Sequence, residues 1–451
     1  MPKPPGERLL SYSLPGPGIS PRDFLAAHEG RARFAWASAD GSLELAGAGS
    51  AVELFAWGDA RFDAIRRDAR VLFAEALQSD KSSLAGPRLF GGFAFRGDFA
   101  PDNTWSIYAP AWLVLPHYQL ARAQAQGEVW LTINAQVPRD ESPASMLPAL
   151  EAALRTKIKQ LRAFSTRRNQ RQSHLLAINY PMSLAAWTRM IDRARGNIHA
   201  GELTKVVLSR AAELRFDGAI NLLPILDHLA GRYADCYRFL FEPRPRYAFY
   251  GATPELLAAV TGRELQTMAL AGSIKRGANP AEDERLGQRL LQSAKERSEQ
   301  QIVVDKIRES LAPLAQSLEV LPLRLCKLRH IQHLHNPIRA WLKEASGLLP
   351  LAKTLHPTPA LGGDPRSHAL QLIRQLEPIP RGWYGAPVGW LDAQLDGQFA
   401  VAIRSAVAQE SRVWVYAGAG IVADSQAQAE WEETTLKLRP MLEAHGENPS
   451  T

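Results

Sequence analysis

The chain has 451 residues, 46% hydrophobic and 22% charged, close to globular averages, so large-scale disorder is excluded and one large or two ordinary domains are expected. Its formal net charge of +7 suits an anionic partner, either a nucleic acid or a small acidic substrate. No stretch approaches ~18 consecutive apolar residues, the start MPKPPGERLLSYSLPGPGIS has no apolar h-region, and Cys236 and Cys326 stand far apart. A membrane span, a secretory signal and a disulfide scaffold are therefore not expected, and a cytoplasmic location is.

Along the chain, the first 20 residues are rich in Pro and Gly and are expected to lie loosely on the surface, within a flexible segment 1–25. From about 30 to 135, short apolar runs such as RFAWAS, RLFGGFAF, AWLVLP and VWLTIN are punctuated by Gly, Pro and Asp, which predicts several strands with few helices. DARVLFAEAL is the helical exception. Residues 144–163 have helical periodicity and run into the basic stretch RTKIKQLRAFSTRRNQRQSH at 155–174. That stretch has no aromatic platform beyond Phe164, so it reads as a solvated helix end and linker. It places an internal boundary near 175, between an N-terminal part, 26–175, and a second region, 176–446.

Beyond it, Ser183 can cap a helix whose Trp187, Met190, Ile191, Ala194 and Ile198 form one apolar stripe ending at Gly201. KVVLSRAAEL, 205–214, then reads as a strand in which Lys205, Val207 and Ser209 share a face. Lys205 is either a strand end snorkelling to solvent or an amine held in a cleft, where desolvation makes it a base. RYAFYGATPELLAAV reads as a second strand running into LQTMALAGSIKRG, and one long helix is expected from about 281 to 315. RGWYGAPVGWLD, GQFAVAIRSAVA and SRVWVYAGAGIVA look like strands joined by tight turns. The last helix is expected to start at Ser425, which has capping-box spacing to Gln428.

The two long C-terminal helices carry carboxylates in unusual places. Glu299 lies on the apolar stripe of Val303, Ile307 and Leu311, with Glu296 one turn before it. Glu430, Glu433 and Lys437 share a face of the last helix. Such a face is either solvated or, if the helices meet, a site for a hard cation such as Mg²⁺ that keeps positions open for water or an anion. Gly418 and Gly420 in AGAGIV and Gly272 in LAGSIKRG allow close backbone approach, and Arg404 stands among apolar residues in AVAIRSAV. His330, His333 and His335 have irregular spacing and no cysteine nearby, which argues against zinc.

KVVLSR, GATPELL, LAGSIKRG, KERSEQQIVVDKI, QHL, LHPTPALGGDP, RGWYGAPVGW, AVAIRSA, YAGAGIV and EWEETTLK occur in the order and rough spacing of the chorismate-utilising enzymes, the anthranilate synthase component I-like family, which the chain resembles over residues 205–437. The resemblance implies an α+β fold: a single large domain of two stacked, mostly antiparallel β-sheets with helices on the outside. It implies that Lys205 is a general base activating water, and that Glu255 is a general acid for the departing hydroxyl. It further implies that Glu299 and Glu433 hold Mg²⁺ with Glu296 and Glu430 in support, that Tyr384, Arg404, Gly418, Gly420 and Lys437 hold substrate carboxylates, and that Gly272, Ser273 and His333 form the cavity wall.

Within the family, alanine at 271 stands where the aminodeoxychorismate branch has a nucleophilic lysine. Lys205 points to water rather than ammonia. The implied reaction is a reversible, Mg²⁺-dependent isomerisation of chorismate to isochorismate, with the pyruvate-expelling salicylate branch as the alternative. Menaquinone biosynthesis is the expected pathway, ahead of siderophore or salicylate production. A lone monomer is expected, with chorismate as its small-molecule partner and no glutaminase, nucleic acid or membrane. A basic RNA-binding module on an inactive scaffold is disfavoured by the intact Lys205, Glu255, Glu299 and Glu433. Gln300 departs from the family, which commonly has His there, and puts the geometry behind the metal site in question.

Overall fold

Short apolar strands broken by Gly, Pro and Asp pair with their neighbours almost entirely in antiparallel fashion and gather into two sheets, of 13 and 10 strands among the described residues. The structure is a computed structural model that describes residues 6–80, 82–101, 105–124, 127–164 and 173–447. The first sheet runs from Leu175–Asn179 through Lys205–Phe216, Arg412–Ile421, Ser405–Gln409, Tyr247–Thr253 and Tyr237–Arg244 into N-terminal strands beginning with Arg33–Ala37. The second includes Ile331–Leu342, Glu264–Lys275, Leu256–Thr261, Gly397–Val401 and Pro387–Asp392, and then Arg88–Phe93. Strands from either side of residue 175 thus share both sheets, and the chain is one α+β domain with ten helices among the described residues.

The sheets stack through aromatic side chains from their facing sides. Phe34 and Phe241 of the first sheet meet Phe90 and Trp112 of the second, with ring centroids 6.1 Å apart for Phe34–Phe90 and 5.4 Å for Trp112–Phe241. On the outer side of the first sheet, Leu150, Leu154, Leu438 and Met441 from two helices pack with Leu120, Leu131, Val413 and Val415. That second layer seats the C-terminal helix, Ala427–Ala444. Arg210, on the strand that begins with Lys205, fixes the same helix by donating to Thr434 Oγ1 at 2.7 Å and stacking 3.7 Å over Trp431.

Several expectations need correction. The N-terminal segment is not loose: Glu7–Pro15 is a strand paired with Glu128–Pro138, and Leu9 and Leu10 are buried. Its Pro and Gly residues bound the strand instead of preventing it; residues 1–5 lie outside the described residues. The expected helix 281–315 is two, Pro280–Gln292 and Ala294–Leu311, because Ser293 leaves helical conformation and caps the second by accepting from Glu296 N. Ser425 does not cap the last helix; its hydroxyl accepts from Val422 N at 3.1 Å. Ser183 does cap Leu184–His199, accepting from Ala186 N. The basic stretch is helical as far as Ala163, and its residues 165–172 lie outside the described residues.

RYAFYGATPELLAAV is also not one strand. Tyr247–Thr253 belongs to the first sheet and Leu256–Thr261 to the second, so the chain crosses between sheets at Pro254–Glu255. Gly397–Val401 and Ser405–Gln409 make the opposite crossing at residues 402–404. The crossings are tied side by side: Val401 N donates to Glu255 O at 2.9 Å and Ala252 N to Arg404 O at 3.1 Å. Arg404 has a left-handed φ of 50°, a strained conformation that fixed neighbours must hold. Glu255 and Arg404, at these two side-by-side crossings of the one chain, both line the gap between the sheets.

Candidate active site

That gap is a cleft of about 670 Å³, with its open mouth, and its lining comes from both sheets and two helices. Lys205 opens its strand on the cleft face together with Val207 and is 1% exposed. The snorkelling alternative is thereby removed. Its Nζ lies 2.7 Å from Glu299 Oε1 on helix Ala294–Leu311. The neighbouring strand carries Gly418 opposite Ser209 and Gly420 opposite Val207. A Cβ at Gly420 would stand 2.6 Å from Glu299 Oε1 and 2.9 Å from Lys205 Cε, so any other residue would have to displace the amine and carboxylate from their present contact.

Glu255 enters from the first crossing and is 3% exposed. Burial pushes its carboxyl up to about 8, against the pull of Arg404, Lys205 and Lys437. It is therefore a protonated acid near neutral pH. Arg404 enters from the second crossing and donates to His333 Nε2 at 3.2 Å. With Nε2 accepting, His333 Nδ1–H faces Gly272 O and Ser273 Oγ, both at 3.2 Å. Burial, then Arg404 and Lys437, hold this imidazole neutral by lowering its pKa well below the usual value. Tyr384, beside Gly418, is pushed up to about 12 by burial and stacks on Tyr416 at 5.2 Å.

The opposite wall is acidic. Gly272, with φ +67°, sits at a bulge between Ala271 and Ser273 that turns Ser273 N onto Glu296 Oε2 at 3.1 Å. Ser273 Oγ donates to Glu433 Oε1 at 3.2 Å, and Lys437 pairs with Glu433 while donating to Gly418 O at 3.0 Å. Glu296 is pushed up by burial and by Glu299, and Glu430 by burial and by Glu433. Burial also raises Glu433, but Lys437 overcomes it and holds that carboxylate below the usual range.

All fourteen residues expected at the site meet in this cleft: Lys205 through its contact with Glu299 and Gly420, the others as lining. The sequence reading missed Lys295, whose Nζ is 3.8 Å from Glu430 Oε1, and the apolar walls Leu270, Leu361 and Ile403. It also missed the brace Arg381, which donates to Val207 O and Leu361 O, each at 2.8 Å, and pairs with Glu377. Arg381 opens the RGWYGAPVGW block, but nothing in the local sequence tells a bracing arginine from a binding one. His330 turns to Glu443 and His335 to Arg324, so the histidines do not converge.

Among the described residues no group of three or more His, Cys, Asp or Glu forms a ready metal cage. The donor chemistry nevertheless fits a hard cation: four carboxylates from two facing helices, two of them, Glu296 and Glu430, with pKa values raised by burial and by a neighbouring carboxylate. Glu299 and Glu433 would hold it, with Glu296 and Glu430 in support.

Comparison with known proteins matches residues 3–446 to the family described as chorismate binding enzyme. The salicylate biosynthesis isochorismate synthase of Pseudomonas aeruginosa is 39% identical over 397 residues, covering 88% of this chain and 81% of the relative. Isochorismate synthase MenF of Bacillus subtilis is 33% identical, covering 97% and 93%. The structure of MenF, the menaquinone-specific isochorismate synthase of Escherichia coli, superposes with a TM-score of 0.80 at 28% identity over 98% of this chain and 95% of that one. Anthranilate synthase component I of Streptococcus pneumoniae shares the fold, with a TM-score of 0.74 at 22% identity over 89% and 92%.

Proposed function

The chain belongs to the chorismate binding enzyme family, and from that premise we propose that it is an isochorismate synthase, converting chorismate reversibly to isochorismate with Mg²⁺. The observation that carries this reading is the pairing of a buried protonated acid, Glu255, with a buried amine, Lys205, in one cleft. Acid and base groups of this kind supply about 10² to 10⁴ in rate each.

In the proposed reaction Lys205 Nζ, as the free amine, takes a proton from water as its oxygen bonds to C2 of chorismate. Both ring double bonds shift, C1=C2 to C1=C6 and C5=C6 to C4=C5, the C4–O bond breaks, and Glu255 gives its proton to the departing hydroxyl, which leaves as water. Arg404, braced by His333, and Lys437 hold substrate carboxylates, because a dianion entering a partly dry cleft needs opposite charge. Tyr384 and the glycine edge of Gly418 and Gly420 let the ring approach the backbone. Bound by Glu299 and Glu433, Mg²⁺ would supply the positive charge that offsets one substrate carboxylate and would compete with Lys205 for Glu299.

Ala271 leaves no side-chain nucleophile at its position, and Lys205 occupies the place where a neutral residue would admit ammonia. Both features favour water. The proposed pathway is menaquinone synthesis; the 39% identity to a salicylate-pathway relative favours a second reading, supply of isochorismate for salicylate or a siderophore. Incubating the protein with chorismate and Mg²⁺, without ammonia, and resolving products by chromatography and mass tests the proposal. An isomer of equal mass in equilibrium with chorismate supports it. Salicylate with pyruvate would move the protein to the lyase branch, and no product would remove the assignment.

A further inference from the structure

A second cleft, about 1190 Å³ with its open mouth, lies outside the catalytic one, between the start of helix Arg61–Ala74, the loop 95–98 and helix Arg366–Leu376. Five cationic side chains line it against two carboxylates, Asp59 and Asp98. Asp98 is shared by Arg96 and Arg374, and Lys353 is engaged by Asp63 at 2.6 Å. Arg61 and Arg366 are left, among the described residues, with no carboxylate at ion-pair distance.

Arg61 is 5% exposed; its guanidinium donates to the carbonyls of Gly58 at 3.3 Å and Ala94 at 3.1 Å and lies 5.0 Å from the centroid of the Phe62 ring, and among the described residues its Nε has no hydrogen-bond partner. A buried charge without a counterion is costly. Burial lowers the Arg61 pKa to about 10, with Asp59 opposing and Arg366 adding to the effect. Arg366 is exposed at the rim and donates only to Thr354 O at 3.3 Å. It occupies the first turn of its helix, where a cation opposes the helix dipole; Pro365 provides no side-chain cap and no acid lies in that turn. His356, between them, adds no charge, since burial, then Arg61 and Arg366, keep it neutral while it bonds Phe95 O at 3.1 Å. Both arginines therefore lack the same thing. Phe62, Phe95 and Pro357 supply an apolar wall beside them.

We propose that this cleft binds a small organic anion, carrying a carboxylate or phosphate group between Arg61 and Arg366 and an apolar body against the aromatic wall. The segment bordering it, His356–Pro357, leads directly to Ala360 and Leu361 of the catalytic cleft, so a ligand here bears on the loop that walls the substrate site.

The test is calorimetric titration of the full chain with inorganic phosphate and with benzoate, in an Arg404→Gln background that weakens anion binding at the catalytic cleft. Saturable binding that persists in this background and weakens about tenfold or more on adding Arg366→Gln is expected. Tighter benzoate identifies a carboxylate ligand, and tighter phosphate a phosphorylated one. Arg61→Gln should have the same effect; if that buried change unfolds the protein, the exposed Arg366→Gln still decides. No saturable binding of either probe, or equal affinity with and without Arg366, would overturn the proposal.

Discussion

The two walls of the catalytic cleft are built on different principles. On the sheet wall, Lys205, Glu255 and Arg404 project from strands and from paired crossings whose backbones are hydrogen-bonded to each other. Burial settles two protonation states there: Glu255 is a neutral acid, and His333, which accepts from Arg404, is neutral. On the helix wall, four glutamates gather with Lys205, Lys437 and the more distant Lys295 as their ion-pair partners among the described residues. The first wall is held in place by its backbone pairing and, in the proposed reaction, serves proton transfer. The second gathers carboxylates that raise one another's pKa values, the donor set of the proposed Mg²⁺ site.

The largest break of this contrast should come from the sheet wall. Lys205→Ala and Glu255→Gln are each expected to cut turnover by about 10² to 10⁴, while calorimetric Mg²⁺ binding is retained in both and is not weakened by Lys205→Ala, which frees Glu299 from its amine partner. A retained rate would remove that residue's role. The wild-type rate should also fall as pH rises through about 8, where Glu255 ionises, and Glu255→Gln should lack this limb. Stability follows the same sign: the raised pKa favours the protonated form, so its contribution is complete below about 4.5 and is lost as pH rises through about 8.

Next in size is Gly420→Ala, which thrusts a methyl between the walls at 2.6 Å from Glu299 and 2.9 Å from Lys205. Turnover should drop about 10²-fold in steady-state kinetics with the fold kept, as judged by circular dichroism. A near-normal rate would mean that the contact between the walls is not needed.

A smaller effect should arise behind the helix wall. Gln300 Nε2 donates to Ala269 O at 3.0 Å and Asn336 Oδ1 at 2.8 Å, pinning the helix that carries Glu296 and Glu299 to the second sheet. Gln300→Ala should weaken Mg²⁺ about tenfold or more and leave the alkaline limb in place; unchanged affinity would show that the pin is not needed. Smallest is Glu430→Gln, which removes one repelling carboxylate. Without Mg²⁺ it should stabilise the protein at pH 8 by about 1 kcal/mol in denaturant titration, and saturating Mg²⁺ should shrink or reverse the gain.

Much of the cleft's membership was legible in the sequence because it sits in short blocks: Lys205 at a strand start, Glu299 on an apolar helical stripe, and glycines at 418 and 420. The architecture was less so. Period-two alternation marks a strand but not the sheet it joins, so the crossings at Pro254–Glu255 and Arg404 were invisible, although they aim the acid and the arginine. Helical periodicity carried through Ser293, where a serine can continue a helix or cap the next one. Glu7–Pro15 was hidden by flanking Pro and Gly because its partner, Glu128–Pro138, lies more than a hundred residues away. The second cleft depends on arginines from three separate segments, and no local pattern joins them.

The most direct test of the proposed water chemistry is turnover of chorismate with Mg²⁺ in oxygen-18 water, followed by mass spectrometry of both the product and the recovered substrate. An isomer of chorismate carrying one heavy oxygen at its new C2 hydroxyl is expected, and recovered chorismate should carry a solvent-derived heavy oxygen at C4, because the reverse reaction expels the C2 hydroxyl and adds water at C4. An unlabelled isomer, or a product that has lost pyruvate without passing through a labelled intermediate, would contradict it.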